Sequence, residues 1–211
     1  MPHTITPFGQ SLRERKKLKT KEAIQREAMR LFQDQGYQRT TIEQIAAAAE
    51  ISPSTFFNYF PSKEDVILFD RYDPMIVSFM SSRPEGEPLS AMFYSAVRAL
   101  GRVMQDDRAV ILARAKLSLE VPELRARFWE EMEKARDLLA GIMAARTGRD
   151  PRDFELRVVA MVFVATAFEG LLEWLRRGGR GDMMELVIEG MDLAQIGPRL
   201  DALESASRKT R

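Results

Sequence analysis

Helix-start signals follow one another so closely in the N-terminal third of the chain that only short helices fit between them. Thr40 and Thr41 precede Glu43 and Gln44 in a capping-box pattern, and the apolar residues that follow have helical spacing. Ser52, an N-cap candidate directly before a proline, opens the next helix one tight link later. The pattern predicts two helices of about two turns each, and no alternating strand pattern competes with it.

A longer helix precedes this pair and a fourth helix follows it. Residues 12–35 are predicted to form an amphipathic helix that stops at Gly36. The third helix is expected over residues 53–60, and Ser62 caps the fourth, with a break near Pro74. Two short helices joined by a tight link and braced by a longer one make a helix-turn-helix, whose second helix is the candidate reader of the DNA major groove.

The rest of the chain is predicted to be helical after a loop at residues 83–88. Helices are expected near residues 89–105, 108–119, 122–146, 151–177 and 182–195. We therefore predict an all-α fold with two domains. Residues 1–66 are predicted to form a three-helix helix-turn-helix DNA-binding domain, with residues 1–11 as a disordered arm, and residues 67–211 are predicted to form a larger helical domain.

The composition excludes several kinds of site. Cys is absent and the one histidine is His3, so the chain cannot form a disulfide, a thiolate nucleophile or a Cys-ligated zinc site. An enzyme built on the dense carboxylates of residues 120–133 would lack the histidines of a bundle di-metal centre, and we expect no enzyme, metal or cofactor. The longest apolar run, residues 158–168, is shorter than the ~20 residues that cross a bilayer. A cytoplasmic protein is expected.

Positive charge is concentrated at the N-terminal end of the chain. Residues 1–39 carry nine Lys and Arg against four Asp and Glu, although the formal net charge of the whole chain is only +1. Lys16, Lys17 and Lys19 lie in the densest part, where they can meet DNA phosphates through counterion release. A solvated arm is the alternative for such a cluster taken alone, but its position beside the helix-turn-helix favours DNA.

The run from Ser52 to Asp65, Ser-Pro-Ser-Thr-Phe-Phe-Asn-Tyr-Phe-Pro-Ser-Lys-Glu-Asp, resembles the DNA-binding signature of the TetR family of transcriptional regulators. The resemblance covers residues 12–66. It implies that Thr40, Thr41 and Lys63 contact phosphate and that the third helix faces the groove. The predicted DNA-binding residues are Lys16, Lys17, Lys19, Thr40, Thr41, Ser52, Ser54, Thr55, Asn58, Tyr59 and Lys63.

Two positions depart from the family's pattern. The family usually has Gly in the turn, where this chain has Glu50, and a left-handed backbone at a non-glycine residue costs on the order of 1 kcal/mol. The Glu50 carboxylate would also lie close to DNA phosphates, and a differently built turn is the alternative. Phe57 stands where the family often has Tyr, which removes one possible hydrogen bond to phosphate.

The resemblance also implies a homodimer that binds a near-palindromic DNA operator as a repressor. Residues 158–168 are apolar apart from Thr166 and must be buried on every side. The resemblance implies that residues 67–211 are an effector-binding and dimerisation domain. In it, one face of residues 158–168 would line the ligand core and another would pack against the second copy. The last long helix would supply the remaining interface residues, Leu186, Val187, Gly190 and Met191.

The expected effector is an apolar or amphipathic small molecule whose binding weakens operator binding. The candidate ligand-binding residues are Phe93, Met104, Lys116, Trp129, Met132, Phe163, Thr166 and Glu169. At helical spacing, such Met and aromatic residues are more often plain core. A helical module that binds small molecules or acyl chains without touching DNA remains the alternative function, and the salt dependence of duplex binding distinguishes the two.

Overall fold

The computed structural model describes residues 12–84 and 86–209, so the predicted arm at residues 1–11 lies outside the described residues. Within these ranges every regular element is a helix, which confirms the predicted all-α fold. The helices are α1 (Leu12–Gln35), α2 (Ile42–Ala48), α3 (Pro53–Phe57), α4 (Lys63–Leu68), α5 (Asp73–Ser81), α6 (Leu89–Met104), α7 (Arg108–Glu120), α8 (Pro122–Thr147), α9 (Phe154–Arg176), α10 (Met183–Leu193) and α11 (Ile196–Lys209).

α1 ends and α2 begins at the residues that the capping patterns predict. α1 stops at Gly36, whose φ of +88° is left-handed and whose N–H donates to the Phe32 carbonyl at 3.0 Å. Thr41 caps α2, since its hydroxyl accepts from the Gln44 N–H at 3.3 Å. The Gln44 side chain in turn accepts from the Thr41 N–H at 3.0 Å. This reciprocal pair is the predicted capping box.

α3 begins as predicted but ends earlier. The Ser52 hydroxyl accepts from the Thr55 N–H at 3.1 Å, which caps the helix. The helix ends at Phe57 rather than at Phe60, because Pro61 disfavours helical backbone in the residue before it. The chain tightens into a turn there, and the Phe60 N–H still bonds back to α3 at 2.9 Å. The side chains after Phe57 therefore remain beside the helix.

The other helix boundaries show how a proline near a helix start is accommodated. The predicted break is confirmed: α4 ends at Leu68, and Pro74 lies in the first turn of α5. The predicted start of a helix at Pro151 is wrong. Asp153 caps α9 instead, by accepting from the Glu155 N–H at 2.9 Å. α11 was not predicted at all. Pro198 lies in the first turn of α11, where its missing N–H has no partner to lose.

The chain divides into two compact units. The N-terminal unit contains residues 12–71 and 109–127, and the C-terminal unit contains the described residues of 72–108 and 128–209. The boundary expected from sequence lies inside α4 and leaves residues 109–127 in the second domain. They join the N-terminal unit because Leu124, at the start of α8, is fully buried in its core.

Each unit has its own hydrophobic core. The N-terminal core is built from Ile24, Ala28, Met29, Phe32, Tyr37, Ile45, Ala46, Phe56, Phe60, Val66, Ile67 and Leu124. The C-terminal core draws on α5, α6 and α8–α11. α9 is the one helix of the described residues that is long and apolar enough to cross a membrane. Its residues Leu156, Ala160 and Val164 lie in the core of the C-terminal unit, whereas Val158 is exposed, so the expected burial of this segment on every side is not met within one chain.

Candidate nucleic-acid interface and effector region

α3 has one buried side and one outward side. Phe56 and Phe60 are almost fully buried, with ring centroids 6.0 Å apart, and they anchor the segment to the core of the N-terminal unit. Ser54 and Asn58, one turn apart, are exposed, and Thr55 and Tyr59 are half-buried. The apolar anchors thus turn hydroxyl and amide groups outward.

The hydroxyl groups at the start of α3 form a small network. The Ser52 Oγ lies 2.9 Å from the Ser54 Oγ and 2.8 Å from the Thr55 Oγ1, in addition to its capping bond. The Ser52 hydroxyl has one donor and two acceptor sites, and its three bonds use all of them. Ser54 and Thr55 keep hydrogen-bonding capacity for another partner, and Ser54 is exposed.

The link between α2 and α3 is a left-handed turn at Glu50. Its φ is +55°, which is rare for a non-glycine residue. The Ile51 N–H donates to the Ala46 carbonyl at 2.9 Å and the Glu50 N–H to the Ala47 carbonyl at 3.1 Å. Both bonds of a Schellman motif are therefore present. Glu50 does not alter the turn; it adopts the backbone that glycine adopts more easily.

The two threonines at the start of α2 have different environments. Thr41 is exposed at the cap, where a phosphate could reach the helix start. Thr40 is 2% exposed, its hydroxyl donates to the Gly36 carbonyl at 2.9 Å, and it accepts from the Gln35 side chain at 3.2 Å. This burial contradicts a phosphate contact by the Thr40 side chain. Its role is to tie the end of α1 to α2.

Lys63 is bound within the fold. Its ammonium donates to the carbonyls of Tyr37 at 3.1 Å and Thr40 at 3.4 Å, and lies 4.1 Å from the centroid of the Tyr37 ring. An ammonium carries three donors, so this position is compatible with a phosphate contact. It also stabilises the loop between α1 and α2, a role that sequence reasoning missed because the partners are far apart in the chain.

Acidic residues beside Lys63 have lowered pKa values. Burial alone would raise the pKa of Glu64, but hydrogen bonds from the Tyr37 hydroxyl, its own N–H and Ser62, with the charge of Lys63, lower it. Burial likewise opposes ionisation of Asp65, and the Arg127 guanidinium, at 2.8 Å, and the Ser62 hydroxyl lower its pKa. Both carboxylates are therefore held charged, and α4 is fixed in place.

The basic residues of α1 separate into an outward group and a packed one. Lys16, Lys17 and Lys19 are exposed, as a surface for phosphates requires. The Lys21 ammonium lies 4.7 Å from the Phe69 ring centroid and 5.0 Å from that of Phe60. Burial and the nearby charge of Lys17 lower the pKa of Lys21. Lys21 therefore contributes to packing.

Most of α7 and the start of α8 are part of the N-terminal unit, and nothing in the sequence indicated their contacts. The Arg114 Nε donates to the Ile67 carbonyl at 2.9 Å, at the end of α4. Arg127 forms its ion pair with Asp65 one helix turn beyond the buried Leu124. α8 then continues into the C-terminal unit, so one helix belongs to both units.

Part of the predicted effector region is assembled in the C-terminal unit. Phe93 is buried and its ring centroid lies 5.4 Å from that of Phe163, while Met104 and Met132 pack against the same core. The hydroxyl of Thr166 donates to the Phe163 carbonyl at 2.7 Å, so it is satisfied within α9. These side chains form an apolar region between α6, α8 and α9.

Three predicted ligand-binding residues lie elsewhere. Lys116 is exposed on α7, in the N-terminal unit. Trp129 is 60% exposed, and Glu169 is also exposed. Helical spacing alone could not show which side of each helix the core occupies. These three residues do not belong to the apolar region between α6, α8 and α9.

The expected contribution of α10 to a subunit interface is wrong for Val187 and Met191, which are almost fully buried in the core of their own unit. Gly190 faces Thr166, since a Cβ added to it would lie 3.3 Å from the Thr166 Cβ. Leu186 is half-buried. These residues pack α10 against α9 within one chain.

Acidic side chains are abundant, but they do not converge. In residues 12–84 and 86–209, no group of three or more His, Cys, Asp or Glu could hold a metal ion. Along α8, Glu131 pairs with Lys134 at 2.6 Å and Glu133 with Arg136 at 3.4 Å. They behave as a charged helix face.

Both parts of the chain match known families. Residues 24–68 match the family described as bacterial regulatory proteins, tetR family, and residues 87–198 match the MftR C-terminal domain. The HTH-type transcriptional regulator TcmR of Streptomyces glaucescens is 40% identical over 181 residues, which are 82% of this chain and 80% of TcmR. The HTH-type transcriptional repressor KstR2 of Rhodococcus jostii is 26% identical, over 72% of this chain and 78% of KstR2.

A solved structure agrees with these relatives. The crystal structure of Thermus thermophilus FadR, a TetR family transcriptional repressor in complex with lauroyl-CoA, has a TM-score of 0.56 at 28% identity. The likeness covers 82% of this chain and 92% of that one. The matches span both the helix-turn-helix and most of the C-terminal helices. The chain belongs to the TetR family of bacterial DNA-binding transcriptional regulators.

Proposed function

We propose that this regulator is a homodimeric repressor that binds a near-palindromic operator and is released by an apolar or amphipathic small molecule. The observation that carries the proposal is the orientation of α3, whose aromatic anchors are buried while its polar groups point outward. Ser52, Ser54, Thr55, Asn58 and Tyr59 would face the major groove. Lys16, Lys17, Lys19, Thr41 and Lys63 would contact phosphates.

Dimerisation is supported by an exposed apolar stripe on the C-terminal unit. Phe154, Val158 and Ala165 are exposed on α9 and lie on one face of the helix, and Leu193 is exposed at the end of α10. Burying such side chains against a second copy is favourable. Two reading helices must also reach successive major grooves about 34 Å apart, which one small domain cannot do.

The proposed effector is an acyl-CoA or a molecule of similar amphipathic character. Phe93 and Phe163 pair in the C-terminal core, and half-buried apolar side chains of α8 and α9 surround them. Flexible methionines such as Met104 and Met132 suit an adaptable apolar site. Thermus thermophilus FadR, crystallised with lauroyl-CoA, supports this class of ligand.

Coupling between effector and DNA is proposed to pass along α8. Met132 packs against the core of the C-terminal unit, while Leu124 of the same helix is buried in the N-terminal core and Arg127 pairs with Asp65. A small rotation or shift of this helix would act on α4, next to the helix-turn-helix. An effector that binds one position of α8 better than another would then change operator affinity.

The test begins with selection of bound duplexes from random DNA by the purified protein. Anisotropy titrations of the selected duplex over a salt series should give a steep slope, about −0.9 per phosphate contacted in a log–log plot. Lauroyl-CoA should release the duplex, and CoA alone is the control. A flat salt dependence would contradict the proposal and favour an acyl-chain binding module without DNA binding.

Two variants separate the proposed roles within the interface. Asn58→Ala should change which sequences are selected, whereas Lys16→Ala should weaken all duplexes alike and reduce the salt slope by about 2, since the homodimer loses one phosphate contact in each half-site. Lys16 is the cleaner choice for the phosphate role, because Lys63→Ala would also remove two bonds to backbone carbonyls. The reversed pattern would show that these roles are wrongly assigned. The protein is further proposed to be cytoplasmic and to have no catalytic activity.

A further inference from the structure

Phe57, the last residue of α3, places an apolar side chain on the outward side of this helix. It is 54% exposed, whereas its neighbour Phe56 is fully buried and meets it edge-on, with ring centroids 5.7 Å apart and planes at 88°. Residue 57 lies one helix turn after Ser54 and next to Asn58, both of which are exposed. The Phe57 ring is therefore supported from below and presented together with the polar groups that would face a DNA groove.

The chemistry of the major groove leaves one partner for such a ring. Base edges there present hydrogen-bond donors, hydrogen-bond acceptors and, on thymine, a C5-methyl group. Ser54 and Asn58 can bond to donors and acceptors, but the Phe57 ring carries no hydroxyl for a base or a phosphate. Covering a polar base edge with the ring would remove water without restoring a hydrogen bond. Covering a methyl group removes only apolar surface from water.

We propose that Phe57 reads the C5-methyl group of one thymine in each operator half-site. It is thus a specificity-determining residue that discriminates thymine from cytosine and from uracil at that position. The inference rests on the proposed role of α3 as the reading helix. It adds an apolar contact to an interface otherwise described by hydroxyl, amide and ammonium groups.

The test uses the duplex that the full-length protein selects from random DNA. Each thymidine is replaced in turn by deoxyuridine in both half-sites, which removes one methyl group and keeps base pairing. At one symmetric position the wild-type protein should lose about fourfold in affinity per methyl group, or about 16-fold for the pair, from the ~0.8 kcal/mol of burying one such group. Replacing thymine by uracil at the other positions should change the affinity little.

Variants then assign the effect to the ring. Phe57→Ala should bind the thymine and uracil duplexes equally at that position, while Asn58→Ala, the matched neighbour, should keep the preference for thymine. Phe57→Leu retains apolar surface and should keep part of the preference, which provides a second variant if alanine weakens binding too far. Circular dichroism checks that each variant is folded.

Three results would overturn the inference. One is equal wild-type affinity for every uracil-substituted duplex, and another is an unchanged loss on uracil substitution in Phe57→Ala. The third, failure of the protein to select any duplex, would remove the reading role of α3 itself. That result is distinct from the first two, in which a selected operator exists but the methyl group plays no part.

Discussion

Glu50 shows how a single residue can occupy a position that suits glycine better. Its left-handed backbone at φ +55° completes the turn between α2 and α3, with both Schellman hydrogen bonds in place. The turn geometry comes from these backbone bonds and from the buried residues on either side, Ala46 and Phe56. The side chain of Glu50 tolerates the conformation at a cost on the order of 1 kcal/mol.

Glu50→Gly is expected to stabilise the protein and to tighten DNA binding. Removing left-handed strain should outweigh the extra unfolded-state freedom of glycine, for a net gain of about 0.5 kcal/mol in urea unfolding. Removing the carboxylate should strengthen binding to all duplexes at low salt. Glu50→Gln is the matched control, because it removes the charge and keeps the strain. It should bind DNA more tightly without being more stable, and a glutamine variant as stable as the glycine one would contradict this account.

The lowered pKa of Glu64 predicts an acid-sensitive contribution to stability. A carboxyl group whose pKa is lower in the folded than in the unfolded state stabilises the fold above its ordinary pKa. This contribution is lost as the pH falls through the folded-state value. Tyr37→Phe removes the hydroxyl that lowers the pKa and keeps the ring. The difference in unfolding free energy between wild type and variant should be larger at about pH 7 than at about pH 3. A difference independent of pH would show that the hydroxyl does not stabilise the charged form.

The roles of single residues were predicted correctly where the side chain bonds to backbone groups a few residues away in the chain. Thr41 and Ser52 bond to N–H groups three residues away, so their roles were readable from spacing. Thr40 has a similar side chain, but its burial depends on how α1 packs against α2. The carbonyl partners of Lys63 likewise come from residues more than 20 positions earlier.

At the level of elements, the close approach of α9 and α10 depends on Gly170. A Cβ at this position would lie 3.0 Å from the Val187 Cγ2 and 3.1 Å from the Val187 backbone nitrogen. Because a backbone atom cannot move away cheaply, the two helices pack at this distance only with glycine here. The buried position of Val187, which was expected at a subunit interface, follows from the same contact.

Gly170→Ala and Gly141→Ala should have opposite effects on stability. Overpacking against α10 should cost about 1–3 kcal/mol at Gly170. At Gly141, within α8, an added Cβ would meet nothing within 4 Å, so the higher helix propensity of alanine should stabilise by up to about 1 kcal/mol. Chemical denaturation of both variants tests this. Equal effects at the two sites would mean that the α9–α10 contact is not tight.

Helix existence was easier to predict than helix boundaries. Starts set by an N-cap next to polar residues, such as Ser62, are correct. Pro151 was wrongly predicted to begin a helix, because a proline suits a turn before a helix as well as the first turn within one. Only the next capping side chain or the packing of the following apolar residues decides between these, as Asp153 does for α9.

At the level of the whole molecule, the exposed stripe on α9 connects fold and function. Phe154 and Val158 begin it, and a second copy is the proposed partner. A repressor that reads two half-sites needs both copies, so operator affinity and dimer stability should be linked.

Val158→Glu should dissociate the dimer and weaken operator binding together. Placing a carboxylate in the buried interface should raise the dimer dissociation constant about a hundredfold or more. Val110→Glu on α7 is the matched control, since both valines are 41% exposed. Sedimentation velocity at micromolar concentration and anisotropy with the selected duplex would be measured for both. A dimeric Val158→Glu protein, or a monomeric Val110→Glu protein, would place the interface elsewhere.

Patterns among residues close in the chain were enough to predict the helical fold, the caps of the short helices and the family motif, because these depend on local hydrogen bonds and backbone preferences. The packing of distant segments was needed to show that Leu124 and Arg127 join the N-terminal unit, that Thr40 is buried and that Val187 faces inward. These outcomes depend on which surfaces meet across long stretches of chain. Helical spacing shows that a side is apolar, but not which neighbour will cover it.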